Sequence, residues 1–287
     1  MNSSAINILC PVCKERNFRH YLDVTDYFLS QEKFSLYQCS RCGLILTHPA
    51  PDENKISAYY KSVNYISHSD EHESSLMAKC YKLVRNIMLN QKYRWIKKYF
   101  NHTGTLLDFG CGTGHFLGYM QQKGWKVAGV EPSDLASGYV KKKWGIQTLS
   151  PHEFLNHAQE IQFDCITLWH VLEHLEKPDV YIQSFWKCLN NEGILCVAVP
   201  NPASWDATYF KQFWAAWDVP RHLWHFSPEC LVGLFASNKF HLLDIHRMPF
   251  DVFYVSILSA KYKKKNFLRT FLYASLTGFF LLSNVWV

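Results

Sequence analysis

The sequence predicts an α/β fold, a doubly wound and mostly parallel sheet, with a small module before it and a hydrophobic segment after it. Three observations carry this. From residue 105 onward, short apolar runs alternate with helical patterns. The first run, Thr105 to Phe109, ends in the turn Gly110-Cys111-Gly112-Thr113-Gly114 and leads directly into a helical pattern at His115. The next run, 125–130, ends on the carboxylate of Glu131. Alternation of this kind implies right-handed crossovers and a ligand at the carboxyl ends of the strands.

Taken in order, residues 1–48 read as a module with its own cysteine framework, in which 18–23 and 33–38 suit a hairpin. His48-Pro49-Ala50-Pro51 is a stiff break, and 53–60 reads as a short helix. Residues 73–100 place apolar side chains at 76, 80, 83, 84, 87, 95, 96 and 99, a helical period. The stretch 49–100 is therefore a helical linker or cap, and 101–250 holds the sheet. Beyond 105–109, strands are expected at 125–130, 146–149, 162–168, 193–199 and 241–248, and helices at 115–123, 133–144 and 178–189. Gly145 and Gly193 are expected to stop the helices before them. Residues 251–287 form a hydrophobic tail.

The glycine turn is where chemistry is expected. Glycine lets the backbone approach a ligand and take positive φ. A carboxylate at the tip of the second strand can accept both hydroxyls of a ribose. The spacing is Gly-x-Gly-x-Gly rather than Gly-x-Gly-x-x-Gly, and Asp108 stands two residues ahead of it. A carboxylate there repels a pyrophosphate and attracts an amino group or a sulfonium. Leu107-Asp108-Phe109-Gly110-Cys111-Gly112-Thr113-Gly114 closely resembles motif I of the class I S-adenosylmethionine-dependent methyltransferases. Gly129-Val130-Glu131-Pro132-Ser133 resembles their ribose-binding strand end, and 163–174 their fourth strand and following loop. The resemblance spans about residues 76 to 250. It implies a Rossmann-like fold and S-adenosylmethionine as cofactor, held by Asp108, Gly110, Gly112, Gly114 and Glu131. Trp169 offers either a ring face to the sulfonium or core packing.

Four of the ten cysteines pair by spacing. Cys10-Pro11-Val12-Cys13 and Cys39-Ser40-Arg41-Cys42-Gly43 are two Cys-x-x-Cys knuckles, which together complete a closed four-thiolate structural zinc site. A redox pair lacks the strand-helix context it needs. Cys80, Cys165, Cys188, Cys196 and Cys230 fall in apolar patterns and read as small core residues.

The acceptor side is expected after the fifth strand. Phe210, Phe213, Trp214 and Trp217 have helical spacing, which reads as one buried stripe. Pro220-Arg221-His222-Leu223-Trp224-His225-Phe226 mixes a cation, imidazoles and aromatics, and a comparable stretch occupies this position in related methyltransferases. Arg221, His222 or His225 is expected to touch substrate. Methyl transfer is an in-line displacement that needs alignment and, for a hydroxyl or carbon acid, a base. Histidine suits that work near neutral pH. His170 and His174, at the end of the fourth strand, are candidates for the same role or for loop anchoring.

A hydrophobic content of 48% and an aromatic content of 16% exclude a disordered chain. The net charge of +6 permits anionic partners without choosing among them. The N-terminus shows no charged start before an apolar core, so a cytoplasmic protein is expected. Residues 270–287 carry no charge and follow Lys261-Tyr262-Lys263-Lys264-Lys265, so 267–287 reads either as a membrane segment or as a packed hydrophobic helix.

The expected activity is methyl transfer to a small molecule such as a sugar, a quinone or a lipid-linked precursor. The resemblance extends to a bacterial family with sugar C-methyltransferases and ubiquinone-type O-methyltransferases. Two alternatives stand beside it: an RNA methyltransferase gripping nucleic acid through the zinc module, and a non-catalytic zinc-ribbon interaction protein. Only Lys14, Arg16, Arg19 and Arg41 would serve RNA near the knuckles.

Overall fold

The computed structural model describes residues 7–60, 76–264 and 284–286. The hydrophobic tail 267–287 lies outside the described residues except for its short strand. No helix among the described residues is long and apolar enough to cross a membrane.

Alternating apolar residues in Phe18–Thr25 (β1) and Lys33–Cys39 (β2) form the expected hairpin, and Ile45–His48 (β3) adds a third antiparallel strand. A short helix, Glu53–Ile56 (α1), and a 3-10 turn follow. Leu76–Lys97 (α2) realises the long helical period.

The alternating part of the chain then runs Thr105–Phe109 (β4), His115–Gln122 (α3), Lys126–Val130 (β5), Asp134–Trp144 (α4) and Thr148–Leu149 (β6). It continues through Pro151–His157 (α5), Phe163–Trp169 (β7), Pro178–Cys188 (α6) and Leu189–Ala198 (β8). Helix α5 was not expected. Its start is legible in retrospect, because Ser150 and Glu153 form a reciprocal capping box ahead of Pro151.

The last part holds Trp205–Phe210 (α7), Trp224–His225 (β9), Pro228–Ala236 (α8), Ile245–Arg247 (β10), Pro249–Tyr262 (α9) and Asn284–Trp286 (β11). Strands β10 and β11 pair antiparallel.

The chain folds into two units. One takes the described N-terminal residues, Leu172–Asp179 and the described residues of Val199–Trp286. Its four-stranded sheet has the order β1-β2-β3-β9. Its core joins Val24, Phe34, Leu36 and Ile45 from the hairpin and β3 to Ala207, Phe210, Trp214, Trp217 and Val219.

The other unit takes the described residues of Ile66–Val171 together with Val180–Ala198. Here β8-β7-β4-β5-β6 form a fully parallel run, in register from Leu106 opposite Val127 and Cys165. Leu106, Phe116, Leu117, Met120, Trp125, Val140, Cys165 and Cys196 pack into its core.

Three expectations change. Gly193 lies inside β8 and does not stop a helix, because α6 ends at Cys188 and the strand starts at Leu189. The aromatic stripe is not one helix. Lys211 takes φ 52°, α7 ends at Phe210, and two 3-10 turns follow, with Trp217 Nε1 donating to the Lys211 carbonyl. The strand expected over 241–248 shortens to Ile245–Arg247.

Candidate functional site

The parallel unit places a glycine turn between two carboxylates. Strand β4 carries Asp108 opposite Gly129 of β5 and Thr167 of β7. The turn is pinned to the tip of β5, where Gly110 and Cys111 donate their N–H groups to the Val130 carbonyl at 2.8 and 3.0 Å. Gly110 has φ 75°, and a Cβ there would meet Val171 at 2.5 Å, so only glycine fits. Gly112 also has positive φ, yet its missing Cβ faces open space with nothing within 4 Å. The first position is closed by the protein itself; the second is open.

Glu131 folds back over this turn. Its Oε2 accepts from the Gly112 N–H at 2.8 Å and its Oε1 from the Ser133 N–H at 2.9 Å. Burial raises its carboxyl above the ordinary range against those two bonds. Asp108 is buried and accepts the Thr167 hydroxyl at 2.6 Å. Burial lifts its pKa to about 7, although the Thr167 bond and the Lys92 charge pull the other way. Gly114 caps the start of α3, and Trp144 Nε1 donates to the Thr113 carbonyl to hold the loop.

Trp169 is half-buried. Its ring meets Phe116 edge-on at 5.5 Å, and the Lys92 ammonium stands 4.1 Å from its centroid. The ring therefore already receives a cation in this structure. Lys92 and Thr167 were absent from the sequence-based site. Thr167 leaves a faint signal, a hydroxyl within an apolar strand; Lys92 leaves none, because a lysine on a helical period reads as a solvated face. His170 takes φ 59°, and its N–H bonds the Ala198 carbonyl at 2.9 Å.

The other unit gathers the remaining histidines. His174 and His222 meet edge to face with ring centroids 4.6 Å apart, and His225 lies 6.3 Å from His222. His222 Nδ1 donates to the Ala216 carbonyl at 2.9 Å, while its Nε2 lies 3.9 Å from Glu173 Oε1 and 3.8 Å from Asp218 Oδ2. His174 Nδ1 donates to the Arg221 carbonyl at 3.0 Å and lies 2.9 Å from the Tyr60 hydroxyl. Burial, followed by the neighbouring His222, lowers the His174 pKa to about 4, so it is neutral at pH 7. His225 is buried and held neutral for the same reasons, with Nε2 3.1 Å from the Thr47 hydroxyl and its ring against Trp217.

Arg221 sits in the interior, with every guanidinium nitrogen engaged. Its Nε and Nη2 donate to Asp218; Nη1 and Nη2 reach Asp26, and Nη1 also reaches the Tyr59 carbonyl. Asp26 in turn accepts the N–H groups of Phe28, Leu29 and Ser30 at the β1–β2 turn. Arg221 is thereby committed to tying the hairpin to the Asp218–His225 segment.

In the same unit, Cys10, Cys13, Cys39 and Cys42 converge with all four sulfurs within 4.8 Å of one another. Cys10–Cys42 and Cys13–Cys39 are each 3.5 Å apart. The residue after each knuckle, Lys14 and Gly43, takes positive φ, which closes the two turns in the same way. Cys230 Sγ donates to the Cys42 carbonyl at 3.0 Å. Cys165, Cys188 and Cys196 are buried free thiols, as their apolar patterns suggested.

A family model described as a methyltransferase domain matches residues 83–245. The chain is 27% identical over 124 residues to a putative methyltransferase, YqeM, of Bacillus subtilis, covering 40% of this chain and 49% of that protein. It is 26% identical over 160 residues to a ubiquinone biosynthesis O-methyltransferase of Pelagibacter ubique, covering 51% and 65%. It thus spans between about half and two thirds of these relatives' lengths. Among solved structures, magnesium protoporphyrin IX methyltransferase from Synechocystis with bound SAH matches with a TM-score of 0.53 at 16% identity, covering 69% of this chain and 93% of that one. The cyclopropane synthase MmaA2 of Mycobacterium tuberculosis matches with a TM-score of 0.53 at 15% identity, covering 83% and 98%. These two likenesses establish the shared fold.

Proposed function

Because the chain belongs to the methyltransferase-domain family, we propose that it moves a methyl group from S-adenosylmethionine to a small-molecule acceptor. The observation that carries the reading is the open approach at Gly112, set between the Asp108 and Glu131 carboxylates. S-adenosylmethionine supplies a methyl group on a positively charged sulfur, ready for displacement. Glu131, held by two backbone N–H groups, would accept the ribose hydroxyls. Asp108, with a pKa of about 7, would take a negative charge as a cationic group approaches. Gly110 and Gly114 keep the turn in the shape that leaves Gly112 accessible.

On the acceptor side, one curated relative is named an O-methyltransferase of ubiquinone biosynthesis, which supports an oxygen acceptor. A hydroxyl must lose its proton as it is methylated. Of the four histidines singled out in the sequence, His222 would take that proton in the ion-free protein, because its Nε2 faces two carboxylates. His225 supports the fold through Thr47, and His170 anchors the end of β7 through Ala198.

We further propose a structural zinc ion at Cys10, Cys13, Cys39 and Cys42. Four thiolates around zinc stand roughly 3.8 Å apart, close to the spacing found. Such a site has no open position, so its role would be to hold the ribbon together.

Calorimetry with S-adenosylmethionine and its demethylated product tests the cofactor site; binding is expected, and Glu131→Ala should weaken it by at least about tenfold. Incubation of methyl-labelled cofactor with lipid, nucleotide-sugar and RNA fractions tests the acceptor. Label confined to RNA would overturn the substrate class.

A further inference from the structure

We infer that Glu173, His174 and His222 form a binding site for a divalent first-row transition-metal ion, distinct from the four-cysteine cluster. The two imidazoles and the carboxylate bring one ligand atom each to within 4.8 Å of one another. Glu173 Oε1 and His222 Nε2 are already 3.9 Å apart. Ligands held at ~2.1 Å from a common ion lie roughly 3–3.5 Å apart, so the cluster needs to contract by at most about 1.3–1.8 Å at its widest.

Second-layer hydrogen bonds orient both rings for this purpose. A backbone carbonyl can only accept, so His222 Nδ1 toward Ala216 and His174 Nδ1 toward Arg221 both carry hydrogen. In the neutral rings the lone pairs therefore sit on Nε2. A backbone or carboxylate partner on the far nitrogen is the usual way a protein fixes a metal-binding imidazole. The backbone is pinned as well: Leu223 donates its N–H to the Glu173 carbonyl at 2.9 Å, and Trp224 Nε1 donates to the Leu175 carbonyl at 2.9 Å.

Charge points the same way. Arg221 binds two carboxylates, Asp26 and Asp218, and offsets one of them. Glu173, only 1% exposed, adds a buried carboxylate beside the two imidazoles, a donor set that suits a divalent ion. Asp218 Oδ2, 3.8 Å from His222 Nε2, offers a further oxygen. Imidazole and carboxylate suit manganese, iron, cobalt or zinc, whereas the cysteine cluster selects soft thiophilic ions. Three protein ligands also leave coordination positions open, unlike four thiolates.

The test is titration of the full-length protein, carrying one equivalent of zinc for its four cysteines and no more, with Mn2+, followed by electron paramagnetic resonance. About one equivalent should bind and show nitrogen coupling from imidazole. Glu173→Gln/His222→Gln should weaken Mn2+ binding roughly 10–100-fold while cysteine-bound zinc and S-adenosylmethionine binding stay unchanged. If the variant does not fold, the nitrogen coupling in the unaltered protein decides. No saturable Mn2+, Mn2+ without nitrogen coupling, or a folded variant that binds equally well would overturn the site. Methyl transfer without Mn2+ binding removes the site alone; nitrogen-coupled Mn2+ without methyl transfer removes only the functional reading.

Discussion

Asp108 and Arg221 show how burial assigns different work to two charged residues. Asp108 keeps one strong bond, to Thr167, and its pKa rises from 3.8 to about 7. Between those values the folded chain holds a proton that the unfolded chain has released, so stability falls as pH rises through that window. Relative to Asp108→Asn, the unaltered ligand-free protein should lose about 2 kcal/mol in all between pH 5 and 7 in urea titrations, with the slope flattening as pH nears 7. Arg221 instead meets Asp26 and Asp218 in the interior. Arg221→Met strands both carboxylates and should cost about 3–5 kcal/mol of stability, read by urea unfolding. The sequence marked both residues, but from Pro220-Arg221-His222 it suggested substrate contact for Arg221. An arginine beside imidazoles looks the same whether it faces a ligand or a buried aspartate 195 positions away.

At the scale of elements, the legible parts were those with local causes. The strand, glycine turn, α3 and β5 follow from apolar period and backbone freedom, and they stand within a residue of expectation. Helix α5 shows that local signals also reward closer reading: Ser150→Ala breaks its capping box and should cost about 1 kcal/mol, read by thermal or urea unfolding. Strand β9 had no such signal. Trp224 and His225 pair with Leu46 and Ile45, and Thr47 donates its hydroxyl to the His222 carbonyl at 2.7 Å. A two-residue strand has no period, so only its partner defines it.

At the scale of the molecule, the ribbon belongs to one unit with residues from the far end of the chain. Val24, Phe34, Leu36 and Ile45 supply one side of a core whose other side is Phe210, Trp214, Trp217 and Val219. Deleting residues 1–48 should therefore expose that apolar face, and gel filtration should find the remainder aggregated or expanded. Saturating S-adenosylmethionine, at about 100 times its dissociation constant, should stabilise the full chain by about 2.7 kcal/mol, seen as a higher Tm. The amino-acid order alone settled the parallel sheet, the glycine turn with its two acids and the pairing of the four cysteines, because each depends on residues close together or on a regular period. Which strand completes the ribbon, which carboxylates meet Arg221, and that Glu173, His174 and His222 converge were decided by long-range packing. Those contacts join positions far apart in the chain, where no spacing rule operates and shape and charge balance choose the partner.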